Sequence, residues 1–391
     1  MVCCALVFMM VPGAAFFYGG MLRKQSMSSI MAQSLVCCGI LGLVWFVCGY
    51  TLAFGSDGFL IGDWSRLFME GAVEDASGAD ISEMEFAMFQ MMFAILTAML
   101  MVGAFAERVR FPVICWFLVA WSLLVYVPMA HWVWGGGMFD QLFTVLDFAG
   151  GTVVHICAGV SGIAVALYVG VRRDSVRKSR AHNITLAYIG AMMLWIGWMG
   201  FNGGSGLYAD GQAIRAIMVT NVSAVTAMMV WAVIQYYRTG RVTVLGLITG
   251  AIAGMVAITP AAGYVHLWAG LVFGLLAAVV CYTSVSYFHN SRKLDDALDV
   301  FAVHGCGGIL GAMLTGVFAS SEYGPFDGLA YGSLDLFLGE AASVLITLVY
   351  CFAVSYAIIA VIGRFVKVRV PSEEETVGPD IAEHGEPAYF N

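Results

Sequence analysis

Three ionisable side chains sit where the sequence offers them almost nothing polar. Asp147 and His155 stand eight residues apart in "DFAGGTVVHICAGVSG" (147–162), and His304 stands in "DVFAVHGCGGILG" (299–311). An ionisable group inside an apolar run is costly unless it faces a cavity, a partner or a substrate path, which makes each a functional candidate. The chemistry open to them is hydrogen bonding and proton handling. A neutral imidazole carries one N–H donor and one bare nitrogen, so two facing rings can bond each other and stay neutral or share one proton. A lone intramembrane histidine is as often a packing residue tied to a backbone carbonyl; two in matching contexts shift the reading toward function. Zinc is the competing chemistry, but it takes three or four N, S or O ligands. Cys157 and Cys306 lie two residues beyond the histidines, which on a helix turns them well away. No metal and no other cofactor is expected.

The elements that hold these groups must be membrane helices. Of 391 residues, 61% are hydrophobic and 11% charged, with a mean hydropathy of +0.86. A soluble domain is about 25% charged, and this chain has too little polar surface to cover itself in water. That composition argues against a soluble enzyme, and no nucleic-acid partner is expected. The ten cysteines lie in apolar runs without a CxxC pair and read as small buried hydrophobes. The segment 1–22 lacks the basic start of a cleaved signal and reads as a first span.

Windows of about 20 apolar residues give eleven spans: 1–22, 29–54, 86–106, 112–133, 147–171, 184–204, 214–236, 244–264, 265–287, 300–320 and 334–363. The fold class expected is an all-α integral membrane protein with a transmembrane domain over 1–363 and a tail over 364–391. Lys and Arg favour cytoplasmic loops. With the N-terminus outside, 16 of the 18 basic residues fall inside, including Arg292, and only Arg66 and Arg215 fall outside. This bias supports N-out/C-in. The longest outer loop, about 55–85, carries Asp57, Asp63, Glu70, Glu74, Asp75, Asp80, Glu83 and Glu85. It is either a cation-attracting entrance or a merely solvated loop. His304 lies only about four residues into its span, so that helix either begins earlier, near Asp299, or is broken there.

An internal repeat links spans five apart. "HICAGVSG" (155–162) matches "HGCGGILG" (304–311), and "GAAFFYGG" (13–20) matches "GWMGFNGG" (197–204). Five is odd, so the two halves must run in opposite directions through the membrane. Inverted repeats place binding sites near the midplane, between the halves.

Eight stretches, in order from first span to tail, now carry a resemblance. They are "PGAAFFYGGMLRK" (12–24), "FQMMFA" (89–94), "GAFAERVRF" (103–111), "AHWVWGGG" (130–137), "LDFAGGTVVHI" (146–156), "GWMGFNGGS" (197–205), "ITPAAGY" (258–264) and "DVFAVHGCGGILG" (299–311). The sequence resembles the ammonium transporter (Amt/Mep/Rh) family, its prokaryotic Amt branch most of all. The resemblance implies eleven helices in two inverted five-helix repeats plus a C-terminal helix, assembled as a homotrimer in the lipid bilayer of the cell membrane, with a pore in each subunit. It implies a transporter or channel, not an enzyme, with ammonium or ammonia as substrate. Residue by residue, Phe93, Trp134 and Ser205 match an outer ammonium site. Phe89 and Phe201 match two stacked rings that gate the pore, Asp147 a buried supporting carboxylate, and His155 and His304 the twin pore histidines. The sequence departs from the pattern by one extra residue between Trp134 and Asp147 and by Ala302 in place of a frequent glycine.

The tail "VPSEEETVGPDIAEHGEPAYFN" (370–391) is acidic and punctuated by Gly and Pro, which by composition alone is a flexible solvated end. By resemblance it is an Amt cytoplasmic tail, carried by Gly378, Asp380, His384, Gly385, Glu386, Ala388 and Tyr389. That implies packing across subunits and a PII-type signalling protein as cytoplasmic partner; Pro379 replaces the usual leucine. Two other classes stay in view: a receptor that binds ammonium and transports little, and an intramembrane metalloenzyme. The first would favour a long output domain. The second lacks an HExxH motif or a third ligand.

Overall fold

In lipid the backbone N–H and C=O groups find no partners but one another, so each apolar run closes its hydrogen bonds internally as a helix. The computed structural model describes residues 1–56, 58–74, 81–291 and 293–390. Asp57, Asp75 and Asp80 of the acidic loop and Arg292 of the basic count lie outside the described residues. Eleven helices among the described residues are long and apolar enough to cross a membrane. They are α1 (Val2–Met21), α2 (Lys24–Phe54), α3 (Glu83–Phe105), α4 (Phe111–Trp134), α5 (Gly151–Val169), α6 (Ile184–Gly204), α7 (Gly211–Thr239), α8 (Val244–Ala261), α9 (Ala269–Asn290), α10 (Phe301–Phe318) and α11 (Asp335–Phe365). Four of their starts carry an N-cap side chain for N–H groups that no helix can pair internally. Ser82 and Glu85 form a capping box on α3, while Asn183, Asp210 and Thr243 cap α6, α7 and α8. Pro260 falls in the tight turn that ends α8, and α9 starts only at Ala269. The two spans are therefore separated by the segment 262–268, which straddles the hydropathy division at 264.

α1 and α6, five apart in sequence, pack on one another. Along α1, Leu6 and Met10 meet Gly197, Gly13 meets Gly190, and Gly20 meets Asn183 and Ala187 of α6. One number rises as the other falls, so the two helices are antiparallel, as an inverted repeat requires. Protein surrounds α3 and α5 on nearly all sides, whereas α9 and α11 leave long stripes uncovered, among them Leu271, Leu275 and Val279, and Leu338, Leu345 and Val349. Such stripes need no burial against protein in a bilayer, because lipid tails are as apolar as leucine.

At the end of the bundle where α1 ends and α2 begins, a buried ion network joins the loops. Arg172 bonds Asp295 through Nε at 2.8 Å and Glu107 through Nη1 at 3.1 Å, and Glu107 also accepts Arg23 Nε at 3.0 Å. Arg108, fully buried, donates to the carbonyls of Ala104, Gly170 and Asp295. Burial by itself would raise the Asp295 carboxyl, but Arg172 and Arg108 outweigh it and hold it at about 2. Burial pushes Arg108 down to about 10 against the pull of Asp295. The network fixes the loop that leads into α10.

The tail is not the solvated end that its composition suggests. It folds into two short helices, Ser372–Val377 and Pro379–His384, on the same end of the bundle. Its acids find buried donors there. Glu375 accepts the Arg173 N–H at 2.7 Å and pairs with Arg369 at 2.8 Å, Asp380 accepts the Ser29 N–H at 2.8 Å, and Glu383 accepts the Phe111 N–H at 3.0 Å. Specific acceptor geometry overrides what net charge alone would favour.

Candidate functional site

The site begins with a capping problem. The first N–H groups of α5 are buried and have no helical partner. Asp147 supplies one: its Oδ1 accepts from Gly150 and Gly151 at 2.8 and 2.7 Å, and its Oδ2 from Thr152 and Val153 at 2.8 and 3.2 Å. To turn into the helix over this carboxylate the chain passes through φ +101° at Gly150, a conformation glycine adopts at little cost. A π-helical turn, Gly151–Ile156, follows and carries His155. Such wide turns inside helices often mark functional sites.

The second half repeats this 149 residues later. Asp296 accepts the N–H groups of Val300, Phe301 and Ala302 at 2.9, 2.7 and 3.1 Å. Asp299, at the place of Gly150, has φ +58°, and the π-helical turn Phe301–Gly305 carries His304. The question of where this helix starts is thereby answered: it starts beside Asp299, over a buried carboxylate, so His304 lies as far into α10 as His155 lies into α5. Asp296 is the capping carboxylate that the sequence reading missed. The signal was available, since Asp147 precedes His155, and Asp296 precedes His304, by the same eight residues.

The two histidines meet where α5 and α10 cross. Their Nδ1 atoms are 3.2 Å apart and their ring centroids 5.2 Å apart, with 29° between the planes. One Nδ1 donates and the other accepts, so the contact requires one bare nitrogen and excludes a doubly protonated pair. His155 Nε2 is buried without a hydrogen-bond partner. The approach depends on Gly159 and Gly308. A Cβ at Gly159 would lie 2.5 Å from Gly305 N, and one at Gly308 would lie 2.9 Å from Gly151 O.

Aromatic rings continue the line. Trp198 stacks on His155 with centroids 5.3 Å apart, its indole N–H held by Thr259 Oγ1 at 3.0 Å, and Phe201 lies 6.0 Å from the same imidazole. Phe201 stacks on Phe93 at 4.2 Å and 18°. This corrects the expected ring pair: the partner of Phe201 is Phe93, not Phe89. Phe89 is one helical turn from Phe93, meets it edge-on at 4.9 Å, and lies against Gly204 instead. Four residues of α3 rise about 6 Å, so only one of the two phenylalanines can share the level of Phe201. Trp134 stands edge-on to Phe93 at 6.0 Å, and its indole Nε1 donates to the Asp147 carbonyl at 2.8 Å. Ser205 donates to the Phe201 carbonyl at 2.8 Å, which leaves its oxygen lone pairs free to accept.

Seven of the eight sequence-derived residues thus form one file, with Asp147 beside it as the cap of α5. Ser205, Trp134 and Phe89 stand at one end, then come Phe93 and Phe201, then the two imidazoles. Trp198 was inside a quoted motif but unassigned; it lies three residues before Phe201 and so shares its helix face. Beyond Asp296 and Asp299 a cavity of about 1130 Å³ opens among Glu107, Arg172, His289 and Asp295.

An inverted-repeat bundle of membrane helices around a buried file of aromatic and imidazole rings is the architecture of a polytopic membrane protein. The model of the Ammonium Transporter Family matches residues 1–389. An ammonium transporter of Bacillus subtilis is 41% identical over 99% of this chain and 96% of its own. Ammonium transporter Amt1 of Archaeoglobus fulgidus is 41% identical over 98% and 96%. Among solved structures, Candida albicans Mep2 superposes with a TM-score of 0.88 at 33% identity, over 99% of this chain and 89% of that one. A sensor Amt protein superposes at 0.89 and 28% identity, over 98% and 96%. The chain belongs to the ammonium transporter family and is a multi-pass membrane protein.

Proposed function

We propose that the chain carries ammonium across the plasma membrane by binding it at the aromatic end of the file and deprotonating it near the rings, after which ammonia and the proton cross by separate routes along the file and the imidazole pair, so that each turnover moves one positive charge. Phe93 and Trp134 offer ring faces and edges around a desolvated cation, a contact of about 2 kcal/mol or more once water is excluded. Ser205, its own proton committed to Phe201, accepts an N–H. Sodium and potassium have none to give. Asp147 adds negative charge behind the site while its four N–H partners hold it in place. Phe93 and Phe201 close the file below, with Phe89 at its rim.

Past those rings a permanent cation meets apolar walls at a cost no single contact offsets. Ammonia does not meet that cost, and it both donates and accepts hydrogen bonds. The observation that carries this reading is the imidazole pair at 3.2 Å with a buried, unpaired His155 Nε2 beside the stacked rings. In a full orientation the N-terminus lies outside, the ion network and the tail face the cytoplasm, and the tail over 364–391 meets a PII-type signalling protein. Three copies assemble, each with its own conduit. The test is current recording from proteoliposomes on a solid-supported membrane, with His155→Leu and His304→Leu. Each variant should lose ammonium-driven current or admit potassium. Unchanged flux and selectivity in both would overturn the role given to the imidazoles.

A further inference from the structure

α5 and α10 play matching parts in the two halves, but their flanks are not filled alike. Each begins only a few residues before its histidine, at Gly151 and Phe301, after a non-helical lead-in segment. On the side of the first lead-in, α11 closes the space: Glu340 Oε1 accepts the Leu146 N–H at 2.7 Å, and Gly339 lets α11 press on the Thr144 backbone. On the side of the second lead-in α11 stands off. Leu294, 149 residues after Val145, lines a groove of about 350 Å³ there. Val160, Ile163 and Leu167 of α5 form one wall, and Leu348 and Phe352 of α11 form the other. These spacings put each wall on a single helix face. The third side is Phe301, the first residue of the π-helical turn that carries His304. Its ring lies edge-on to Phe288 at 5.6 Å and uses the space that glycine leaves at 305, where a Cβ would meet it at 2.5 Å.

Val160 to Leu167 spans about 10 Å along α5. It runs from just beyond His155 to just short of Gly170, whose carbonyl accepts Arg108 in the buried ion network. The groove therefore lies within one leaflet of the hydrocarbon region, on the ion-network side. Its mouth opens on the lipid face: Leu167 is 47% exposed, and Leu345 and Val349 beside it on α11 are 62% and 63% exposed. Its base is deep, with Val160 at 3% and Ile163 at 7%. Such a groove offers water no partners, and wall atoms without neighbours forfeit dispersion contacts. A flexible hydrocarbon chain is what the bilayer supplies at that depth. We propose that the groove is a binding site for one acyl chain of a phospholipid in that leaflet, seated between α5 and α11 against Phe301. The chain does for the second half what α11 does for the first: it fills the space beside the lead-in to a histidine-bearing helix. The site stands whether or not the imidazoles handle ammonia.

The test uses full-length protein in phosphatidylcholine vesicles, with a small share of the lipid carrying a diazirine midway along one acyl chain. After irradiation, tandem mass spectrometry should place lipid adducts on Leu167, Leu348 and Phe352 about five-fold above those on Leu345 and Val349, which face lipid at the same depth of α11 without a groove. Leu348→Trp, which fills the groove, should remove that excess and leave the Leu345 and Val349 adducts unchanged. If Leu348→Trp does not fold, Leu167→Trp at the exposed mouth decides the same point. Added phosphatidylcholine should also raise the unfolding temperature of the detergent-solubilised parent more than that of the filled variant, because a ligand of the native state stabilises it. Equal adducts on groove and stripe, an excess that survives filling, an equal rise in unfolding temperature, or crosslinks to a second copy of the chain in place of lipid would each overturn the site.

Discussion

Gly159→Ala adds one methyl group at the crossing of α5 and α10, and its consequence can be worked through in distances. The new Cβ would stand 2.5 Å from Gly305 N and 2.6 Å from Gly305 Cα. Both are backbone atoms next to His304, so no rotamer change relieves them. Ordinary contact begins near 3.4 Å, so the helices must part by about 0.9 Å, since a close-packed interior has no slack to absorb the difference. The imidazoles lie about one turn away and share the displacement. Their 3.2 Å contact opens toward about 4 Å, beyond hydrogen-bond range. The lost bond is worth about 1 kcal/mol and the overpacking about 1–3 kcal/mol. Gly308→Ala is the internal control. It occupies the matching repeat position, but its nearest atoms are Gly151 O at 2.9 Å, Ile156 Cγ1 at 3.0 Å and His155 Cβ at 3.1 Å, so roughly half the separation suffices. Solid-supported-membrane currents under ammonium gradients should fall about ten-fold in Gly159→Ala and less than about three-fold in Gly308→Ala. Potassium leak into vesicles should appear first in Gly159→Ala. A Gly159→Ala protein with parental current and parental selectivity would refute the claim that conduction needs the imidazoles in contact.

Two further outcomes are expected. Asp296→Ala leaves three buried N–H groups without an acceptor, at about 1–3 kcal/mol each before relaxation, so thermal unfolding in detergent should occur at a clearly lower temperature. Asp147→Ala, which orphans four, should be affected at least as much, and an Asp296→Ala protein as stable as the parent would sink the equivalence of the two caps. For Asp295 the sign of the pH effect follows from its lowered pKa, about 2 in the fold against the usual 3.8. Its contribution is complete above pH 3.8 and is lost as the pH falls toward 2. The stability gap between the parent and Asp295→Asn should therefore be constant down to about pH 4 and narrow below it; a gap that widens in acid contradicts the ion network.

The membrane class, the eleven spans and the inverted repeat were legible in the sequence for a simple reason. Hydropathy is a sum over neighbours in the chain, and lipid imposes one rule on every backbone group it surrounds. The motifs likewise located Asp147, His155 and His304, because an ionisable residue in an apolar run is conspicuous on its own. What distance in space decides was not legible. Phe89 and Phe93 are the same residue type on the same helix, and only the level of Phe201 on α6 selects Phe93 as its stacking partner. Asp296 reads as one acid among several in a polar loop until its oxygens are seen on the N–H groups of α10. The tail's composition favours water, yet Glu375 and Asp380 are buried because donors from other parts of the chain converge on them. Glu340 lies 194 residues from the amide it holds. Periodicity and composition report on a residue's neighbours in the chain; partnership across the bundle depends on how helices cross, and that is fixed only when all of them are packed.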